Sequence, residues 1–399
     1  MLIFVYLVFK GCNPNAQIRD YTVAERLLTE PRVILDYLGR IFFPRPSAFG
    51  LFYDDVEISR GLFFPVLTLP AIFAIIGSLL ASFVLRHGFP ALCFGVLWYF
   101  AGHLLESTTI MLEIGFEHRN YFPMTGLCMG VCFEVARQSR GRIRPSMMVP
   151  LSVVCVLFIA VLTFFEARLW GNQLYLSAVW AKEKPNSERA QDLYAGILAQ
   201  SGFVADSYRK FTASSKHFAN SSSALSASVV LTCIDSSLPK PDYDLVIARF
   251  KTSRFSFAPI SNIERIIKEK ESGRCEEIPS SQVRSMIYAL MSNPPYAKSE
   301  YLSHLYMLLG RTYALDLALG PAVAFLSYSI QLQPRMDIAV HKVSWLISAR
   351  AWVDAKIALE EIQEMGRRQP LDYLAFKKVI LQMESIVAEN QPSGKNSLK

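Results

Sequence analysis

His103 and Glu106 stand three positions apart, and Glu117-His118-Arg119-Asn120-Tyr121 follows shortly after. On a helix, positions i and i+3 share a face, so His103 and Glu106 would point the same way. Imidazole and carboxylate exchange protons near neutral pH, and arginine offers phosphate a planar fork of donors. Ionisable groups in such a place, at the margin of an apolar run, are functional candidates that typically face a cavity. The competing reading is a hairpin loop whose charges, Glu113 included, face water. Two further pairs invite the same double reading. Asp54-Asp55 could hold a divalent metal or form a solvated turn. Cys128 and Cys132, at i and i+4, could ligate a metal or pack as small hydrophobes.

The elements that must position these groups are apolar. The chain of 399 residues is 52% hydrophobic and only 19% charged, with 27 Phe. This excludes a disordered chain, a coiled coil and a collagen, and it argues against a wholly soluble enzyme. The net charge of +7 is spread rather than gathered into a stripe, so no nucleic-acid footprint follows. A spanning helix needs about 20 apolar residues. Residues 61–85, 88–105 and 146–165 meet or approach that length almost free of charge, and 121–136 forms a weaker fourth run. Arg137, Arg140, Arg142 and Arg144 crowd the loop before the last run, a positive-inside signal for the cytoplasm. The loop from Glu106 to Asn120 then faces outward, together with residues 11–60 and everything after Glu166. Met1–Phe9 is apolar but too short to span, and reads as an interfacial anchor or the end of a helix lost upstream. Val33–Phe43, stopped by Pro44 and Pro46, has the pattern of an amphipathic helix lying along a membrane.

After Glu166 the composition becomes that of a soluble helical domain. Asn172–Lys182 and Arg189–Gln200 bracket Pro185-Asn186 as one hairpin. Pro321–Leu332, Asp337–Arg350 and Val353–Met365 repeat the arrangement, with Pro334 and Pro370 spaced near the period of a TPR. Breaks at 236–244 and 273–281 divide a less regular middle, expected as divergent helical pairs. Cys233 and Cys275 can pair if their compartment is oxidising. The tail 390–399 is polar and reads as disordered.

Phe116-Glu117-His118-Arg119-Asn120-Tyr121-Phe122-Pro123, after His103-Leu104-Leu105-Glu106-Ser107, resembles the E-x-x-x-Y-x-P segment of transmembrane-and-TPR proteins. These include O-mannosyltransferases of that architecture and bacterial multi-pass relatives in the GT-C glycosyltransferase class. The stretch from Glu166 through Trp180 and Pro185-Asn186 to Arg189-Ala190 is similar to their junction with the first TPR. The resemblance implies the C-terminal part of a transferase that takes sugar from a polyprenyl-phosphate donor on the non-cytoplasmic face. It implies His103, Glu106, Glu117, His118, Arg119, Asn120 and Tyr121 as candidate lipid-phosphate or sugar contacts. The family's catalytic acidic residue, in a loop further upstream, has no counterpart here, so no catalytic residue is carried over.

The expected fold is all-α: residues 1–60 a residual N-terminus and outward loop, 61–166 four spans, 167–389 an extracytoplasmic TPR-like domain. The expected place is a bacterial inner membrane. The expected ligands are a polyprenyl-phosphate sugar donor and a protein partner on the TPR-like domain, without nucleic acid and without a cofactor unless Asp54-Asp55 takes a metal. A membrane-anchored TPR scaffold for envelope or secretion partners is the alternative to a transferase. No phosphate-binding Gly loop, G-x-G-x-x-G, H-E-x-x-H or G-x-S-x-G occurs, so ATPase, nicotinamide, zincin and α/β-hydrolase chemistry lack local support.

Overall fold

The computed structural model describes residues 21–44, 50–104, 106–107, 112–140 and 145–390. Met1–Phe9, Pro46, Arg142, Arg144 and the tail 391–399 lie outside the described residues. Among those described the chain is all-helical, as expected; its only β pairing is an isolated bridge between Gly61 and Phe64. The chain divides into two compact units, Met1–Ser201 and Gly202–Lys399.

The N-terminal unit opens with α1 (Val23–Phe42). Thr22 and Glu25 form a capping box: the Thr22 hydroxyl accepts from the Glu25 amide at 3.2 Å, and the Glu25 carboxylate accepts from the Thr22 amide at 2.8 Å. That cap starts the helix ten residues before the amphipathic stretch read from sequence, and the helix runs on through Pro31. Its inner face buries Val33, Ile34 and Tyr37 as the pattern requires, and also Arg26, Thr29 and Glu30. Then come α2 (Thr68–Leu85), α3 (Pro90–His103), a 3-10 turn (Glu117–Asn120), α4 (Tyr121–Ser139) and α5 (Pro145–Trp170).

Of the four apolar runs, α2 and α5 are helices long and apolar enough to cross a membrane. α3 has only 14 helical residues, and α4 carries Glu134 and Arg137 within its 19. The α3–α4 contact rests on missing side chains. A Cβ on Gly130 would lie 2.6 Å from the Ala91 carbonyl oxygen, and one on Gly95 would lie 2.8 Å from that of Gly126. Small residues at such spacing let two helix backbones meet. α5 is different: its apolar residues from Val149 to Phe165 are exposed along the helix.

The hairpin α6 (Gln173–Glu183) and α7 (Glu188–Gln200) is placed by sequence in the C-terminal domain, yet it packs in the N-terminal unit. Phe52, Leu176, Trp180 and Ala190 form one core that binds it to the loop after α1. Asn172 and Ser187 cap its helices by accepting from Tyr175 and Ala190 amides at 3.0 and 3.1 Å.

The C-terminal unit contains α8 (Val204–His217), α9 (Ser223–Ile234), α10 (Tyr243–Thr252), α11 (Ala258–Glu271) and α12 (Ser280–Met291). It continues with α13 (Ser299–Leu315), α14 (Leu319–Leu332), α15 (Met336–Ser348), α16 (Trp352–Arg368) and α17 (Pro370–Asn390). The breaks expected at 236–244 and 273–281 separate α9 from α10 and α11 from α12. α9, α11 and α13 pack side by side in one layer, and α10 on α12 in another. Ile260, Ile263, Ile266 and Ile267 line α11 at helical spacing and meet Val283, Ile287, Leu305 and Leu308 in the main core. A second core joins α15, α16 and α17. Cys233, on α9, is disulfide-bonded to Cys275 in the α11–α12 loop, 42 residues on.

Candidate functional site

Helix α1 grips the segment between α3 and α4. Arg26 is fully buried, and its guanidinium donates to the carbonyls of Glu106 at 2.7 Å, Glu113 at 3.2 Å and Leu112. Its counter-charge is Glu30, one turn on at 2.7 Å. Burial pushes the Glu30 carboxyl up to about 7, against the pull of Arg26 and a hydrogen bond from Ser107. The Tyr37 hydroxyl accepts from the Phe116 amide at 2.6 Å, and its ring stacks on His103 at 5.7 Å. Burial raises that hydroxyl to about 12, so it stays protonated.

The expected site residues divide into groups. Glu106 and Arg119 meet at 3.3 Å, and Arg119 also donates to the Glu113 carbonyl at 2.6 Å. Buried His103 and Asn120 are neighbours, and a side-chain hydrogen bond links them. His118 is exposed, with its ring edge-on to Phe116 at 4.4 Å, and Tyr121 is exposed too. Glu117 turns elsewhere: it accepts from the Gly50 amide at 3.0 Å, the Tyr53 hydroxyl at 3.2 Å and Arg40 at 3.2 Å. Burial raises the Glu117 carboxyl above its ordinary value despite these donors.

Beyond Arg40 and Tyr53 opens a cavity of about 730 Å³ within the N-terminal unit. One wall is polar, with Arg32, Arg40 and Lys184 among Asp36, Asp55 and Glu57; the other is Leu67 and the α2 face bearing Pro70, Ala71 and Ala74. Arg40 is paired to Asp36 at 2.8 Å and Lys184 to Asp55 at 3.0 Å. Among the described residues Arg32 donates to neutral acceptors, the Glu57 carbonyl at 2.8 Å and the Ser59 hydroxyl at 3.1 Å. It is the cation most open to an incoming anion.

Sequence reading missed Arg26, Glu30, Arg32, Arg40, Tyr53 and Lys184. The Arg26/Glu30 and Asp36/Arg40 spacings of four residues were the available signal. The metal reading of Asp54-Asp55 meets other partners in the structure. Asp54 accepts from the Ser187 hydroxyl at 2.6 Å and the Arg189 amide at 3.1 Å, while Asp55 holds Lys184. Among the described residues no group of three or more His, Cys, Asp or Glu could hold a metal ion. No protein-family model matches the chain, and no curated protein matches it significantly.

Proposed function

We propose that the chain is a multi-pass protein of a bacterial inner membrane that handles a polyprenyl-phosphate-linked sugar, as the C-terminal part of a GT-C-type glycosyltransferase would. The observation that carries this reading is the cavity beside α2, lined by three cations and three carboxylates on one wall and by apolar side chains on the other. An amphiphile with a phosphate head meets both needs at once: its head takes Arg32 with Arg40 and Lys184, and its chain lies along α2. Glu117 stands directly behind Arg40 and Tyr53, where it orients the guanidinium. In this reading Arg119, committed to Glu106 and the Glu113 carbonyl, shapes the loop together with His103 and Asn120, while exposed His118 and Tyr121 remain open to the sugar.

Four helices, α2 to α5, cross the bilayer in this proposal, with Arg137 and Arg140 on the cytoplasmic side. The Cys233–Cys275 bond supports an oxidising, extracytoplasmic place for the TPR-like C-terminal unit. The test is binding of a polyprenyl phosphate to the full chain in nanodiscs. Losing a charge-assisted hydrogen bond costs about 1.5–3 kcal/mol, so Arg32→Ala should weaken binding roughly tenfold or more. Native affinity in Arg32→Ala rejects the lipid-phosphate reading.

A second reading, a membrane-anchored scaffold, is favoured by one feature of the C-terminal unit. α11, α13 and α15 line a cavity of about 600 Å³ with Glu264, Glu271, His304, Arg311, His341 and Trp345. Such a groove suits a protein partner. A chain that retains a partner but binds no polyprenyl phosphate would favour it.

A further inference from the structure

Outside both cavities, α12, α13 and α14 carry five contiguous aromatic rings. Tyr306 and Tyr313 lie seven residues apart on one face of α13, and Phe325 of α14 sits between them, 6.1 Å from the first and 5.3 Å from the second. The Phe325 ring is within 20° of parallel to both. Tyr328 extends the row at 5.7 Å from Tyr306, and Tyr288 of α12 closes the other end, its hydroxyl 3.5 Å from that of Tyr313. The end members are exposed, Tyr288 at 44% and Tyr328 at 52%. Tyr306 and Phe325 pack half-buried against the main core and Tyr313 is half-buried, so the row is anchored at its centre and presents its two end rings to water. Tyrosine suits contact with a ligand because it offers a large stiff face and a polar tip at little entropic cost.

Polar groups frame the row. Arg284 lies over the Tyr313 ring at 4.6 Å and donates to Asp316 at 2.6 Å, and the Asp316 side chain stays 40% exposed. We infer that this row of rings, with Arg284 and Asp316 at its edge, binds a chain of pyranose sugars. A pyranose has an apolar face of C–H groups for a ring to stack on and a rim of hydroxyls that both donate and accept. Arg284 can only donate and Asp316 can only accept, so the pair suits a ligand that does both. A proline-rich peptide also lies on aromatic grooves, but its proline carbonyls only accept and leave the carboxylate unused. The site needs none of the residues of the lipid-phosphate reading, so either can fail alone.

The test uses the full chain in a detergent without a sugar headgroup, titrated calorimetrically with maltohexaose, cellohexaose, chitohexaose and decaproline. At least one hexasaccharide should bind, and more tightly than decaproline. The double variant Tyr288→Ala/Tyr328→Ala should bind it about tenfold more weakly, two ring contacts being removed. Tyr288→Phe keeps the ring and removes only a hydroxyl, so it carries the test if the double variant does not fold. Its expected loss is roughly threefold, the low end for one neutral hydrogen bond. No binding by any hexasaccharide, tighter binding of decaproline, or native affinity in these variants overturns the proposal.

Discussion

Arg26 shows how one side chain can hold a loop by its backbone. Its guanidinium ties three carbonyls of the α3–α4 connection to α1, and Glu30 supplies a carboxylate one turn on. Removing one member of a buried ion pair leaves the other uncompensated, so Arg26→Ala should cost about 3–5 kcal/mol, read by thermal unfolding in detergent. A loss below about 1 kcal/mol, the level of an exposed pair, would show that the clasp is not buried in solution. Glu30 adds a pH dependence. Its folded-state value of about 7 stands above the ordinary 4.5, so the folded chain holds the proton more tightly than the unfolded one. Stability from this group is full below pH 4.5, declines as pH rises to 7 and is flat above that. The shift amounts to about 3 kcal/mol across the window. Glu30→Gln should flatten that slope in a series of melting temperatures, and an unchanged slope would assign it to another group.

At the scale of elements, the α3–α4 contact depends on the absence of side chains at Gly95 and Gly130. Gly130→Leu must move backbone, not a flexible side-chain end, and should cost about 1–3 kcal/mol or more by overpacking. A cross-link between introduced cysteines on the two helices would form less readily in the variant; equal yield would show that the helices had room. This contact could not be read in the sequence, because a glycine in an apolar run signals neither its partner nor its direction. Boundaries marked by local chemistry were legible: Asn172, Pro185-Asn186, Pro334 and Pro370 bracket helices close to where they occur. The N-terminus of α1 was not read, although Thr22 and Glu25 announce it, because the apolar pattern becomes regular only from Val33. Glu106 and Arg119 were legible as candidates, and their pairing is short-range. Gly50, Tyr53 and Lys184 reach the site from distant positions, which no spacing rule reports.

At the scale of the whole molecule, the C-terminal unit is stapled by Cys233–Cys275. Closing 42 residues restricts the unfolded chain and is worth about 4 kcal/mol on the chain-entropy account. Cys233→Ser/Cys275→Ser, or mild reductant on the native chain, should lower the unfolding midpoint of this unit. No change under either treatment would mean that the bond contributes nothing. The 26 residues of α5 rise about 39 Å, against roughly 30 Å of hydrocarbon in a bilayer. Spanning such a layer, the rod must lean, project a turn beyond the acyl tails, or settle where the lipids are thicker. In the proposed bilayer setting, acyl-chain length should therefore be a lever on the lean of α5, adjustable without altering a single codon.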